Sequence, residues 1–152
     1  MTARIKNPAH MYPEAMQAMI ALGKSTETSG LPEKLLTMIH LRASQINGCA
    51  FCTDMHSREL KNAGEPDERI WAVGAWHDST LFDEAERAVL ALTEHATRIA
   101  DRTDPVPDHV WNAAAKHYDE RQLAAIVLHI AIINAWNRIN VAIRQPQMPP
   151  RG

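Results

Sequence analysis

No excess of basic residues marks this sequence: its charged residues, 22% of the chain, balance to a formal net charge of -2. The electrostatic footprint of a nucleic-acid binder is therefore missing. No apolar run reaches the roughly 20 residues that a bilayer-spanning helix needs. The apolar run "LAAIVLHIAIINAW" at 123–136 is too short and carries His129 and Asn134. The opening stretch "MTARIKNPAHMYPEAMQAMI" offers no secretory h-region, because Pro, His and Glu interrupt its apolar residues. Internal repeats and low-complexity segments are absent too. These absences point to a soluble, cytoplasmic protein with neither nucleic acid nor membrane as a partner. What is there fits a globular chain: 45% apolar residues over 152 positions suit one domain, 1–152, with a sizeable core. The proline-rich end, about 145–152, reads as a loosely held tail.

Breakers fall at 7–8, 29–32, 47–48, 64–66, 78–80, 104–107 and 145–150, and the segments between them carry helix formers at helical spacing. The expected fold class is all-α, a helical bundle. In "SGLPEKLLTMIHLRASQ", Ser29 or Gly30 is expected to cap a helix, with Pro32 in its first turn and Glu33 complementing the dipole. Leu35, Leu36, Ile39 and Ala43 then form one apolar face. Another helix is expected from about Asp83, ending before the prolines of "DRTDPVPDHV". The 123–136 run is read as a buried helix or a subunit interface. It is long, has no internal turn signal, and has no partner strand elsewhere. So apolar a segment, with Trp71, Trp76, Trp111 and Trp136 as core or interface anchors, predicts that the chain buries surface between copies.

Both cysteines fall in "INGCAFCTDMHSREL", residues 46–60. A reducing compartment disfavours a structural disulfide, so a close pair there reads as catalytic or metal-binding. Asn47 is the expected N-cap of the next helix, which places Cys49 in the first turn, where the dipole and free amides stabilise a thiolate. Cys49, Cys52 and His56 then share one helical face. The imidazole can take the Cys52 proton or hold the thiolate electrostatically, and one sulfur can resolve an oxidised partner as a disulfide. Zinc is a second reading. It wants four ligands where three are clustered, the fourth coming from His40, His77, His95, His117, His129 or a partner subunit. Inert packing is a third. His129 otherwise reads as a hydrogen-bonded core residue, and His77 and His109 as surface loop positions.

"LRASQINGCAFCTDMHSRELKNAGE" and "INAWNRINVAIR" together resemble the alkylhydroperoxidase D-like branch of the carboxymuconolactone decarboxylase family over nearly the whole chain. The resemblance implies an all-helical, cytosolic protein that assembles as trimers or hexamers. It implies reduction of hydroperoxides with electrons from a thiol or dihydrolipoyl-type partner, with no metal or bound organic cofactor. By the same resemblance Cys52 reacts with peroxide, Cys49 is its disulfide partner and His56 is the proton relay. The family's relay glutamate, twelve residues before the first cysteine, corresponds here to Thr37, which leaves Glu33 or Glu94 to supply a carboxylate. That replacement predicts a weak peroxidase. Two rival functions come with these residues: a lactone decarboxylase, whose members generally lack the CxxC, and a metal-binding or redox-sensing oligomer.

Overall fold

The computed structural model describes residues 2–149. Among them there are eight α-helices and no strand: α1 (Pro8–Met11), α2 (Pro13–Lys24), α3 (Glu33–Ile46), α4 (Ala50–Asn62), α5 (Asp67–Ala72), α6 (Glu84–Thr97), α7 (Asp108–Ala115) and α8 (Glu120–Ile143). The all-α expectation holds.

Local chemistry sets most boundaries. Asp83 and Asp119 each cap a helix with a reciprocal box, their carboxylates accepting from the backbone of Glu86 and Gln122, whose side chains reach back to the cap amides. Gly30, Gly48 and Gly64 take positive φ at the breaks between elements. At α3 the cap is Pro32 itself, in extended geometry, rather than Ser29 or Gly30. Gly30 instead ends a short 3₁₀ turn with φ 76°.

Helix α3 packs against α4, α6 and α8 and so forms the middle of the bundle. Its apolar face, with Leu35 and Ile39, joins Val89 and Leu92 of α6, Val110 of α7 and Ile126 of α8 in one core. A second core gathers Met38, Leu41, Leu60, Ile70 and Trp76 on the other side. A third, small cluster consists of Ala43, Cys49, Cys52 and Ile133, flanked by Phe51 and Trp136. The cysteine pair is thus built into packing and is not hung on a surface loop.

Helix α8 runs 24 residues, well beyond the apolar run at 123–136. By length and composition alone it is long enough to cross a bilayer; here it packs on α2, α3, α6 and α7 with half of its apolar window buried. Val127, Leu128 and Val141 stay exposed on its outer side. Of the four tryptophans, Trp76 is core and Trp136 is partly buried, whereas Trp71 and Trp111 lie on the surface. His109 sits on the exposed side of α7 rather than in a loop. Beyond α8, residues 145–149 are irregular, with Gln145 N–H donating to the Asn140 carbonyl at 2.8 Å and the Pro149 carbonyl accepting from Arg58 at 3.3 Å. Residues 150–152 of the expected tail lie outside the described residues.

Candidate functional site

The turn from α3 into α4 positions the thiols. Asn47 closes α3 in helical geometry, its amide donating to the Ala43 carbonyl, and Gly48 follows at φ 65°. Cys49 is then the extended N-cap of α4, its N–H donating to the Ser44 carbonyl at 3.0 Å. The cap is therefore Cys49 and not Asn47, and it is Cys52 that occupies the first turn, among the orphan amides at the positive helix end.

The two sulfurs are unbridged and almost fully buried, Cys49 at 2% and Cys52 at 1% exposure. They divide the ionisation between them. The hydrogen bond from Cys49 is the largest influence on Cys52 and lowers its pKa to about 6. Burial opposes this, and the amides of Asn140 and Asn137 and the nearby His56 assist. Cys49 moves the other way: its bond to Cys52, then burial, push its thiol up. The expectation that Cys49 carries the helix-start thiolate is thus reversed.

His56 is buried on α4, one turn beyond Cys52. Its Nδ1 lies 2.7 Å from Oε2 of Glu59, which lies one turn further along the same helix. A carboxylate only accepts, so Nδ1 carries the hydrogen and Nε2 is left with a lone pair in the neutral ring. That Nε2 is buried and has no hydrogen-bond partner. The carboxylate on His56 is therefore Glu59, not the group at the Thr37 position, nor Glu94. The Thr37 hydroxyl turns back to the Glu33 carbonyl at 3.0 Å. Glu94 is held by Arg42, by the Trp76 indole N–H at 2.8 Å and by His77 at 3.4 Å. Those contacts lower its pKa against the opposing pull of burial. Glu33 borders a second cleft with Thr37, His56 and Glu59.

Behind His56 stands a second imidazole. The His40 and His56 rings lie 4.9 Å apart, His40 Nε2 is 3.0 Å from His129 Nδ1, and His129 Nε2 is 2.8 Å from the Thr26 hydroxyl. Burial, then the charges of His56 and His129, hold the His40 pKa well below its ordinary value. Burial also lowers the pKa of His129, which is a hydrogen-bonded core residue as its sequence context suggests. Of the other histidines considered as ligands, His77 stacks on Trp76, His95 bonds to the Pro105 carbonyl and His117 is exposed. Among the described residues no group of three or more His, Cys, Asp or Glu side chains is arranged to hold a metal ion.

Cys52 borders a cavity of about 340 Å³. Its walls are mostly apolar: Met16, Met19 and Ile20 of α2, Phe51 of α4, and Ile133 and Trp136 of α8. His40, His56 and Asn140 supply polar points. Cys49 lines none of the cavities that reach this site.

A reduced dithiol beside a histidine–carboxylate pair, inside an all-helical bundle, defines a class of protein. The chain belongs to the carboxymuconolactone decarboxylase family, whose model matches residues 13–95. It is 40% identical over 131 residues to the uncharacterised YdfG of Bacillus subtilis, covering 86% of this chain and 88% of that one. Its fold matches that of ATU0492 from Agrobacterium tumefaciens, a protein of unknown function proposed to be the antioxidant defence protein AhpD. There the TM-score is 0.90 and the identity 36%, over 98% of this chain and all of the other. The debrominase Bmp8 shares the fold at a TM-score of 0.77 and 25% identity, over 91% of this chain and 74% of that one. The fold is thus alkylhydroperoxidase D-like, as the resemblance implied.

Proposed function

We propose that this chain is a dithiol peroxidase that reduces apolar hydroperoxides at Cys52. The observation that carries the reading is a thiol lowered to about 6, bonded to a second thiol, at the wall of an apolar cavity shared with His56. The Cys52 thiolate attacks one peroxide oxygen and breaks the O–O bond, leaving a sulfenic acid and an alkoxide. His56, holding the proton taken from Cys52, protonates the alkoxide through Nε2. Glu59 on Nδ1 orients the ring with Nε2 free, a task that the resemblance gives to a carboxylate at position 37. Whether Thr37 leaves this a weak peroxidase is decided by its turnover. The Cys49 sulfur then attacks the sulfenic sulfur, water leaves with the Cys49 proton, and a disulfide closes. A small external dithiol, of the dihydrolipoyl type, returns both cysteines to thiols by exchange.

Peroxide consumption with a dithiol donor tests this. Wild type turns over, Cys52→Ser does not, and Cys49→Ser accumulates a sulfenic acid that dimedone traps. Unchanged turnover in Cys52→Ser would sink the assignment, and a single oxidation without turnover would favour the redox-sensor reading. The same dithiol and cavity support one rival chemistry, reductive debromination of a small aromatic ring: two thiols and an aryl bromide give the disulfide, the arene and hydrogen bromide. Bromide release from a bromopyrrole under dithiol, without peroxide turnover, would select it. Exposed Trp71, Val127, Leu128 and Val141 support assembly into a homo-oligomer. Light scattering checks that, a monomer at micromolar concentration being the contrary result.

A further inference from the structure

Two carboxamides serve the Cys52 sulfur, and each has its oxygen held by another asparagine. Asn140 donates through Nδ2 to Cys52 Sγ at 3.3 Å, while its Oδ1 accepts from Asn7 Nδ2 at 3.1 Å. Asn137 also assists ionisation of Cys52; its Oδ1 accepts from Asn47 at 2.9 Å and its Nδ2 donates to the Ser44 hydroxyl at 3.1 Å. A carboxamide has nearly the same shape end for end. Turned over, Asn140 would direct oxygen lone pairs at a thiolate and repel it. The partner of the amide oxygen therefore decides which end meets the sulfur.

For Asn140 that partner comes from the far end of the sequence. Asn7 is fixed twice, its Oδ1 accepting from Ala9 N–H at 3.0 Å as the cap of α1 while its Nδ2 donates to Asn140. The segment before it is tied to the last turn of α8: Arg4 N–H donates to the Ile143 carbonyl at 2.8 Å, and the Arg4 guanidinium donates to the Ala142 carbonyl at 3.1 Å. These are carbonyls that a helix end leaves unsatisfied. Asn7 also borders the cavity that Cys52 borders.

Resting on the dithiol reading of Cys52, we propose that Asn7 is a positioning residue for the reactive thiol: it holds the Asn140 carboxamide nitrogen-first toward Cys52 Sγ. Docking of the N-terminal segment on α8 then sets the reactivity of a sulfur on α4. An N–H donor favours the charged form of its acceptor, so loss of the orientation disfavours the thiolate.

Asn7→Ser isolates this role, because serine caps a helix as asparagine does but has no amide to reach Asn140. Ultraviolet thiolate absorbance against pH, with Cys52→Ser as the blank, is the readout. The Asn7→Ser midpoint should rise by roughly one pH unit, a tenfold fall in thiolate at any pH below it. Asn140→Ala should shift the midpoint similarly, and adding Asn7→Ser to Asn140→Ala should shift it no further. An unmoved midpoint in Asn7→Ser overturns the proposal, as does a full additional shift in the Asn140→Ala background. Because the titration needs no peroxide, failure of the peroxidase reading leaves this result standing, and failure here leaves peroxide turnover unaffected as evidence.

Discussion

A histidine relays protons only as well as its neighbours orient it, and His56 sits between a carboxylate and a second imidazole. Glu59 accepts from its Nδ1 at 2.7 Å, while His40, its ring 4.9 Å away, is kept neutral and adds no competing charge. Truncation by His56→Ala should slow peroxide oxidation of Cys52 by about 10² to 10⁴, the usual worth of positioned acid–base catalysis. Glu59→Gln keeps an acceptor but removes the charge, so it should slow the reaction less and narrow its active pH range; stopped-flow rates across pH distinguish the two. In the wild type the rate should climb as pH rises through about 6 and then level off. The thiolate is the nucleophile, and the Cys52 thiol loses its proton there. Cys52 and His56 are legible in the sequence from spacing alone. So is Glu59, three residues after His56 inside "HSREL", whereas the family pattern directs attention to Thr37. The role of Glu94 is illegible, because its partners come from two distant stretches, Arg42 on α3 and the adjacent Trp76 and His77.

At the scale of elements, the break between α3 and α4 does most to place the site. Gly48 at φ 65° reverses the chain so that Cys49 can cap α4, and a Cβ added there would meet nothing within 4 Å. Gly48→Ala should thus lose stability through backbone strain alone, about 1–2 kcal/mol, read as a lowered midpoint in thermal unfolding. A loss well above that would mean that the turn has no room to adjust. The Asn-Gly pair marks this break in the sequence, but whether asparagine closes one helix or opens the next depends on backbone hydrogen bonds that spacing does not reveal. The start of α8 was within reach, since Asp119 and Gln122 form a capping box three residues apart. Its end was not. Asn137 and Asn140 lie beyond the apolar run, and nothing in their spacing marks them as inward-facing, yet both are buried, as donors to Ser44 and Cys52.

Across the molecule, α3, α8 and the turn after α2 are tied together by the chain His40–His129–Thr26. His129 is buried and His40 half-buried, and both have lowered pKa values, so the unfolded chain binds protons more readily than the folded one below the ordinary histidine value of 6.5. Stability is then fully present above that value and is lost as pH falls below it toward the folded values. Thermal unfolding followed from pH 7.5 to 5 should show a falling midpoint, and His129→Gln should flatten the dependence. A midpoint independent of pH in the wild type would mean that neither ring is held neutral by the fold. The comparison with His129→Gln, which removes one of the two rings, carries the decision.

The Asn47–Gly48 bond also bears on how the protein ages. Asparagine before glycine is the pairing most prone to lose its amide through a cyclic imide, because glycine leaves the attacking backbone nitrogen unshielded. Here the Asn47 amide is engaged on two sides, donating to Asn134 Oδ1 at 3.0 Å and Asn137 Oδ1 at 2.9 Å, which restrains the side chain from closing on its own backbone. Folded protein should keep this amide through long incubation, while denatured protein converts it to aspartate or isoaspartate. Once converted, the position offers carboxylate oxygens where two acceptors wait for a donor, so a molecule that has unfolded for long enough carries a lasting mark beside its thiols.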